Sequence, residues 1–208
     1  MGAHAFVAEP ADPIGSAERA LGGKADIVFE CVGLPGLIAQ AVEQVRNRGT
    51  IGGDIAHGDP GNDHPALSIA IEASFVLEGP NGRRTVAADG FFLGTYMTLL
   101  EENEVMCEIR VPAFAHGTGY AYEKLKRKTG DWATAGCAVV IRKNGDQVTH
   151  VRIALTNVAP TALHAEAAEA ALLNKPFNAA NVQAAVAAAI AICDPAEDLR
   201  GDIEYKTA

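Results

Sequence analysis

Cysteine is scarce in this 208-residue chain, and the four present, Cys31, Cys107, Cys137 and Cys193, stand far apart with no CxxC pair among them. That spacing excludes the common zinc and iron–sulfur frameworks and reads as buried free thiols. Basic residues are also short, 17 Lys and Arg against 26 Asp and Glu for a net charge of -9, so the chain lacks the cationic face a nucleic-acid binder needs. No apolar run is long enough to span a bilayer and no charged-then-apolar leader precedes a cleavage site, so a cytoplasmic protein is expected. A complete GxGxxG turn is missing too. Gly117-Thr118-Gly119 begins one, but Tyr122 stands where the last glycine belongs, which speaks against NAD. His57 and His64 have no cysteine or carboxylate at ligand spacing and read as solvated or capping side chains.

What is present is a globular composition, 49% hydrophobic with 21 glycines, and one unusual stretch, RNRGTIGGDIAHGDPGND over residues 46–63. Gly52 and Gly53 lack Cβ atoms, so the backbone is free to take positive φ and bring its N–H groups against phosphate oxygens, with Thr50 adding a hydroxyl. Around this turn the patterning alternates between helix and strand. Residues 5–8, 13–21, 27–32 and 35–45 read as strand, helix, strand, helix, the grammar of an α/β sheet. A short helix is expected over 65–70, and strands over 74–77 and 84–86 joined by Gly79-Pro80-Asn81-Gly82. A further strand covers 104–111. Strands over 120–126, 135–141 and 148–155, the last two joined at Asn144-Gly145, make an antiparallel sheet. Helices over 162–173 and 179–193 follow, the second N-capped by Asn178.

The stretch 46–63, FFLGTYMTLL, EVMCEIRVP, Gly130-Asp131-Trp132-Ala133 and DLRGDIEYK together resemble the flavoprotein (medium) subunit of carbon monoxide dehydrogenase and of the related xanthine dehydrogenase-type molybdenum hydroxylases. Asp54 departs from the usual Asn or Ser and would set a carboxylate beside a diphosphate. GGKADIVFECVGLPGLIAQAVEQVR is similar to part of the cofactor domain of zinc-dependent medium-chain alcohol dehydrogenases, so the chain reads as a hybrid.

The resemblance implies an α+β fold in three units: an α/β fragment over 1–45, a partial FAD-binding lobe of the FAD-type PCMH kind over 46–112, and a C-terminal domain over 113–208 with a three-stranded antiparallel sheet and helices, expected to pack by itself. It implies FAD held at Thr50, Ile51, Gly52, Gly53 and Asp54, with Asp63 on the nucleotide and Met106, Lys124 and Trp132 near the flavin. No catalytic residue and no metal ligand belongs to the chain itself. The implied partners are a molybdopterin-containing large subunit and a [2Fe-2S] small subunit, in a relay that passes electrons from the clusters to FAD and on to an acceptor. The basic run Lys124, Lys126, Arg127 and Lys128 would neutralise a diphosphate or dock an acidic partner. The other diphosphate turn of the family, AGG(Q/H)SL from its N-terminal lobe, is not among these residues, so FAD is expected to bind weakly or not at all. The ending stops before the helix that follows in the family. The alternative reading is a non-catalytic hybrid or interaction domain.

Overall fold

The computed structural model describes residues 25–28, 45–128 and 130–208, the backbone alone for 25–28 and 45–51. The mixed, largely antiparallel architecture expected from the sequence is what forms. Strands β1 (Ala25–Val28) and β2 (Val45–Ile51) pair in parallel. A parallel pair needs a crossover, and the connection, with the elements expected over 5–8, 13–21 and 35–44, lies outside the described residues. Val45 opens a strand instead of closing a helix, and that strand carries Arg46 to Ile51, so only Gly52 and Gly53 are left to make the turn into helix α1 (Gly53–His57).

Helix α2 (Asp63–Ala70) begins where Asn62, in extended backbone, accepts a bond from the His64 N–H. Next come β3 (Ser74–Gly79) and β4 (Gly82–Ala87), whose register pairs Gly79 with Gly82 and leaves Pro80-Asn81 as the loop. Strands β5 (Phe92–Gly94) and β6 (Met97–Thr98) make a small hairpin, and β7 (Val105–Arg110) completes the sheet β4-β3-β7. The C-terminal half is the sheet β11-β10-β9-β8. Its three long strands, β8 (Thr118–Leu125), β9 (Ala135–Asn144) and β10 (Gln147–Thr156), are those expected, and a two-residue β11 (Leu163–His164) is added at the edge. Here the expected helix over 162–173 is shortened. Leu163 and His164 pair with β10, so α3 (Glu166–Leu172) starts only once the chain leaves the sheet. Helices α4 (Ala179–Ile190), capped by Asn178, and α5 (Ile203–Thr207) follow.

Period-two alternation in β9 and β10 sends side chains to two cores. Cys137, Val139, Val151, Ile153 and Leu155 face α3 and α4, where Ala168, Leu172 and Ala185 are buried. Ala138, Val140 and Ala154 face the other way, into a core shared with Ala66, Ile69 and Ala70 of α2, Phe75 and Leu77 of β3, and Met106 of β7. Residue 113 therefore divides the chain but not this core. The thiols differ from expectation. Cys107, Cys137 and Cys193 are free but only half-buried, because Cys137 and Cys193 sit at the margin of the second core and Cys107 beside Glu78 on an exposed strand face.

Residues 111–117 are exposed throughout, so limited proteolysis is expected to nick the chain there. The two pieces should stay together in native gel filtration and separate only in denaturant. A folded C-terminal piece eluting alone would contradict a core shared across the cut.

Candidate functional site

From the Gly52 turn the chain runs through α1 to Gly58, whose φ of 67° ends the helix in the left-handed region that glycine accepts without strain. A Cβ on Gly58 would lie 3.0 Å from Thr98 Cγ2 and 3.3 Å from the Met97 nitrogen, so the β5–β6 hairpin seats directly on this turn. The Tyr96 N–H donates to the Gly58 carbonyl at 2.9 Å. Tyr96, itself at φ 58°, places its ring over His57 with centroids 4.8 Å apart, and its hydroxyl donates to Asp59 Oδ2 at 3.3 Å. The Asp59 charge, then burial, raises the Tyr96 phenol above its ordinary range.

The other wall comes from beyond residue 113. Asn157 ends β10 at φ 58°, a conformation Asn tolerates, and its amide donates to the Ala133 carbonyl at 2.7 Å and the Thr134 carbonyl at 3.2 Å. Its own N–H donates to the Pro60 carbonyl at 3.0 Å, and the Ala133 N–H to the Gly61 carbonyl at 3.3 Å. These bonds hold Trp132 opposite Tyr96. Burial would raise the Asp131 carboxyl, but the hydrogen bond and charge of Arg127 outweigh it and hold it below its ordinary value. Between the walls lies a cleft of about 690 Å³, lined among others by Asp59, Gly61, Tyr96, Trp132, Asn157 and Arg200. A Cβ on Gly61 would project to 3.3 Å from Asp59 Oδ1 and 3.6 Å from Trp132 Cε3, so glycine keeps this floor open. Volume and aromatic walls suit a flat heterocycle, as an isoalloxazine ring requires.

Asp63 and Lys124 are brought together. Lys124 Nζ donates to Asp63 Oδ2 at 2.7 Å and the Tyr122 hydroxyl to Oδ1 at 2.8 Å. Burial, then the Asp63 charge, pushes the Tyr122 phenol far up, so it stays a neutral donor. These three make a strut from the start of α2 to β8. Met106 is 4% exposed within the first core and does not line the cleft. The expected basic run splits, since Lys124 turns inward while Lys126, Arg127 and Lys128 are exposed and Arg127 pairs with Asp131 at 3.0 Å. Thr50 and Ile51 lie on β2, and their side chains lie outside the described residues.

The glycine pair needs no positive φ. Gly52 sits at φ -137° and Gly53 is helical, because α1 starts immediately after the strand. His64 is also not as expected. It is 8% exposed, and its Nδ1 meets Asp54 Oδ2 across the loop that Asn62 closes by donating to the Asp54 carbonyl at 3.0 Å. Tyr96, Tyr122, Asn157 and the His64–Asp54 pair escaped the sequence reading. Among the described residues no three His, Cys, Asp or Glu side chains are grouped to hold a metal.

Residues 36–114 match the FAD binding domain in molybdopterin dehydrogenase, and residues 120–208 match the CO dehydrogenase flavoprotein C-terminal domain. The chain belongs to the flavoprotein subunits of the molybdenum hydroxylases. Within this flavoprotein family it is 77% identical over 177 residues to the carbon monoxide dehydrogenase medium chain of Hydrogenophaga pseudoflava, covering 83% of this chain and 62% of that one. The medium chain of Afipia carboxidovorans is 49% identical over 164 residues, covering 79% and 57%. The solved carbon monoxide dehydrogenase from Hydrogenophaga pseudoflava that lacks the Mo-pyranopterin moiety of its molybdenum cofactor superposes with a TM-score of 0.75 at 76% identity, over 85% of this chain and 65% of that one. The chain thus spans about 60% of the length of these flavoprotein relatives. The likeness of residues 1–45 to zinc-dependent dehydrogenases finds no support in these matches, and the flavoprotein match begins at residue 36, inside that stretch.

Because both Asp63 oxygens are already engaged within the protein, Asp63→Asn should destabilise the chain with no cofactor added, by about 1–3 kcal/mol or several degrees in Tm. A carboxylate that served only a ligand would leave that Tm unchanged, and an unchanged value would contradict the strut.

Proposed function

We propose that this chain is the FAD-binding electron-transfer subunit of a carbon monoxide dehydrogenase-type molybdenum hydroxylase. The reading includes its partnership with a molybdopterin-containing large subunit and a [2Fe-2S] small subunit, and the cytoplasmic location expected from the sequence. The observation that carries it is the cleft between Tyr96 and Trp132, floored by the Asp59–Gly61 loop that follows α1, in a chain of this family. When bound, the flavin supplies the redox chemistry, accepting electrons and releasing them to an acceptor. The protein binds, orients and shields it. In this reading the backbone at Thr50, Ile51, Gly52 and Gly53 faces the diphosphate, Trp132 and Tyr96 flank the ring, and Gly61 leaves room for it. Asp63 and Lys124 hold the two walls in register, and Met106 supports them from the core. The polar end of the cleft carries Arg200, whose Nε stands 3.9 Å from Asp131 Oδ1 and whose Nη1 stands 3.8 Å from Asp198 Oδ2.

Affinity is the finer part of the proposal. These residues supply one glycine turn for a diphosphate. Each charge-assisted phosphate hydrogen bond forgone costs about 1.5–3 kcal/mol, so two or three forgone weaken binding by roughly two to six orders of magnitude. Titration with FAD, followed by flavin fluorescence and Trp132 quenching, should show one-to-one saturation in the micromolar range or weaker, abolished by Gly53→Val. Nanomolar binding would overturn the affinity estimate. No saturable binding by a well-folded chain would overturn the FAD reading.

A further inference from the structure

We infer that His64 is a positioning residue for the phosphate turn: it holds the Asp54 carboxylate aside, so that an acid where the family pattern has Asn or Ser does not compete with a bound diphosphate. This inference rests on the FAD reading above. Asp54 lies in the first turn of α1, and a carboxylate there would ordinarily turn back to accept from the backbone amides of its own turn. Those are the donors a phosphate needs. No side chain caps α1, and Asp54 Oδ2 is instead engaged by His64 Nδ1, with the two side chains 16% and 10% exposed. Asn62 keeps the pair in register from both ends, donating to the Asp54 carbonyl at 3.0 Å and accepting from the His64 N–H at 3.0 Å.

The proton can be placed as well. His64 Nε2 is buried with no partner among the described residues. With the hydrogen on Nδ1, Nε2 leaves only a lone pair unpaired, whereas a hydrogen on Nε2 would bury an orphaned donor, the rarer and costlier defect. The ring is therefore set to donate from Nδ1 to Asp54.

The test is a double-mutant cycle on FAD affinity, together with the nitrogen NMR shifts of His64, which report the tautomer without cofactor. Expected results are an Nδ1-protonated ring, a loss of about tenfold or more in FAD affinity for His64→Leu, and recovery to within about threefold of the parent in Asp54→Asn/His64→Leu. His64→Asn keeps an amide donor near the Nδ1 position and should bind within about threefold of the parent, which separates positioning from simple loss of packing. The inference is overturned if His64→Leu costs as much in the Asp54→Asn background as alone, if it costs nothing, or if the ring carries its hydrogen on Nε2. Should the parent chain take up no FAD, the FAD reading fails and this inference with it. Lost coupling with intact FAD binding overturns the inference alone.

Discussion

Helix α2 is buried on nearly every side, and the rest of the molecule is arranged around that constraint. His64, Pro65, Ala66, Ser68, Ile69 and Ala70 are all buried, so eight residues present almost no polar face to water. A helix of this kind is stable only where both flanks are covered. One cover is the face of β9 and β10 that carries Ala138, Val140 and Ala154, and the same core takes in Phe75 and Leu77 of β3. Alanines on the helix and on the facing strands permit a close approach, at which dispersion contacts add up. Its first turn carries the polar exceptions, Asn62, Asp63 and His64, and each is matched by a partner across the interface or the loop. Burying the helix therefore fixes where those three groups stand.

That placement makes a site out of two halves of the chain. The Gly58 turn seats the hairpin that carries Tyr96, and the backbone of Pro60 and Gly61 receives Asn157 and Ala133, which carry Trp132. Neither aromatic is buried, at 58% and 37% exposure, although both are held by ordered backbone. Large, half-open apolar rings on a rigid frame are expected where a planar ligand supplies the missing cover. The family relationship and the shape of the cleft point to the same class of ligand from independent directions.

Where local patterning dominated, the sequence was legible. The β3–β4 hairpin follows from a Pro-Asn-Gly turn, β9 and β10 from alternation, and the start of α4 from Asn178, all of which depend on neighbours a few residues apart. Departures occur where tertiary pairing overrides local preference. Val45 to Ile51 extends because β1 offers it a partner, and Leu163 and His164 extend because β10 does. The pairing of Asp54 with His64 spans ten residues and depends on a loop closed by Asn62, so no spacing rule announces it. Tyr96 lies in a stretch recognisable as a motif, but its direction is set by Gly58, thirty-eight residues earlier in the chain. Trp132 lines the cleft, whereas Asp63 and Lys124 meet each other in a strut that belongs to the fold.

Hydrogen exchange measured with and without FAD tests most directly whether α2 assembles one cofactor site from both halves. The account predicts that added FAD slows exchange together in residues 52–54, 59–64, 95–97 and 131–134, with the amides of α2 among the slowest in either state. Protection confined to one half of the chain, or α2 amides exchanging faster than those of β9 and β10, would contradict it.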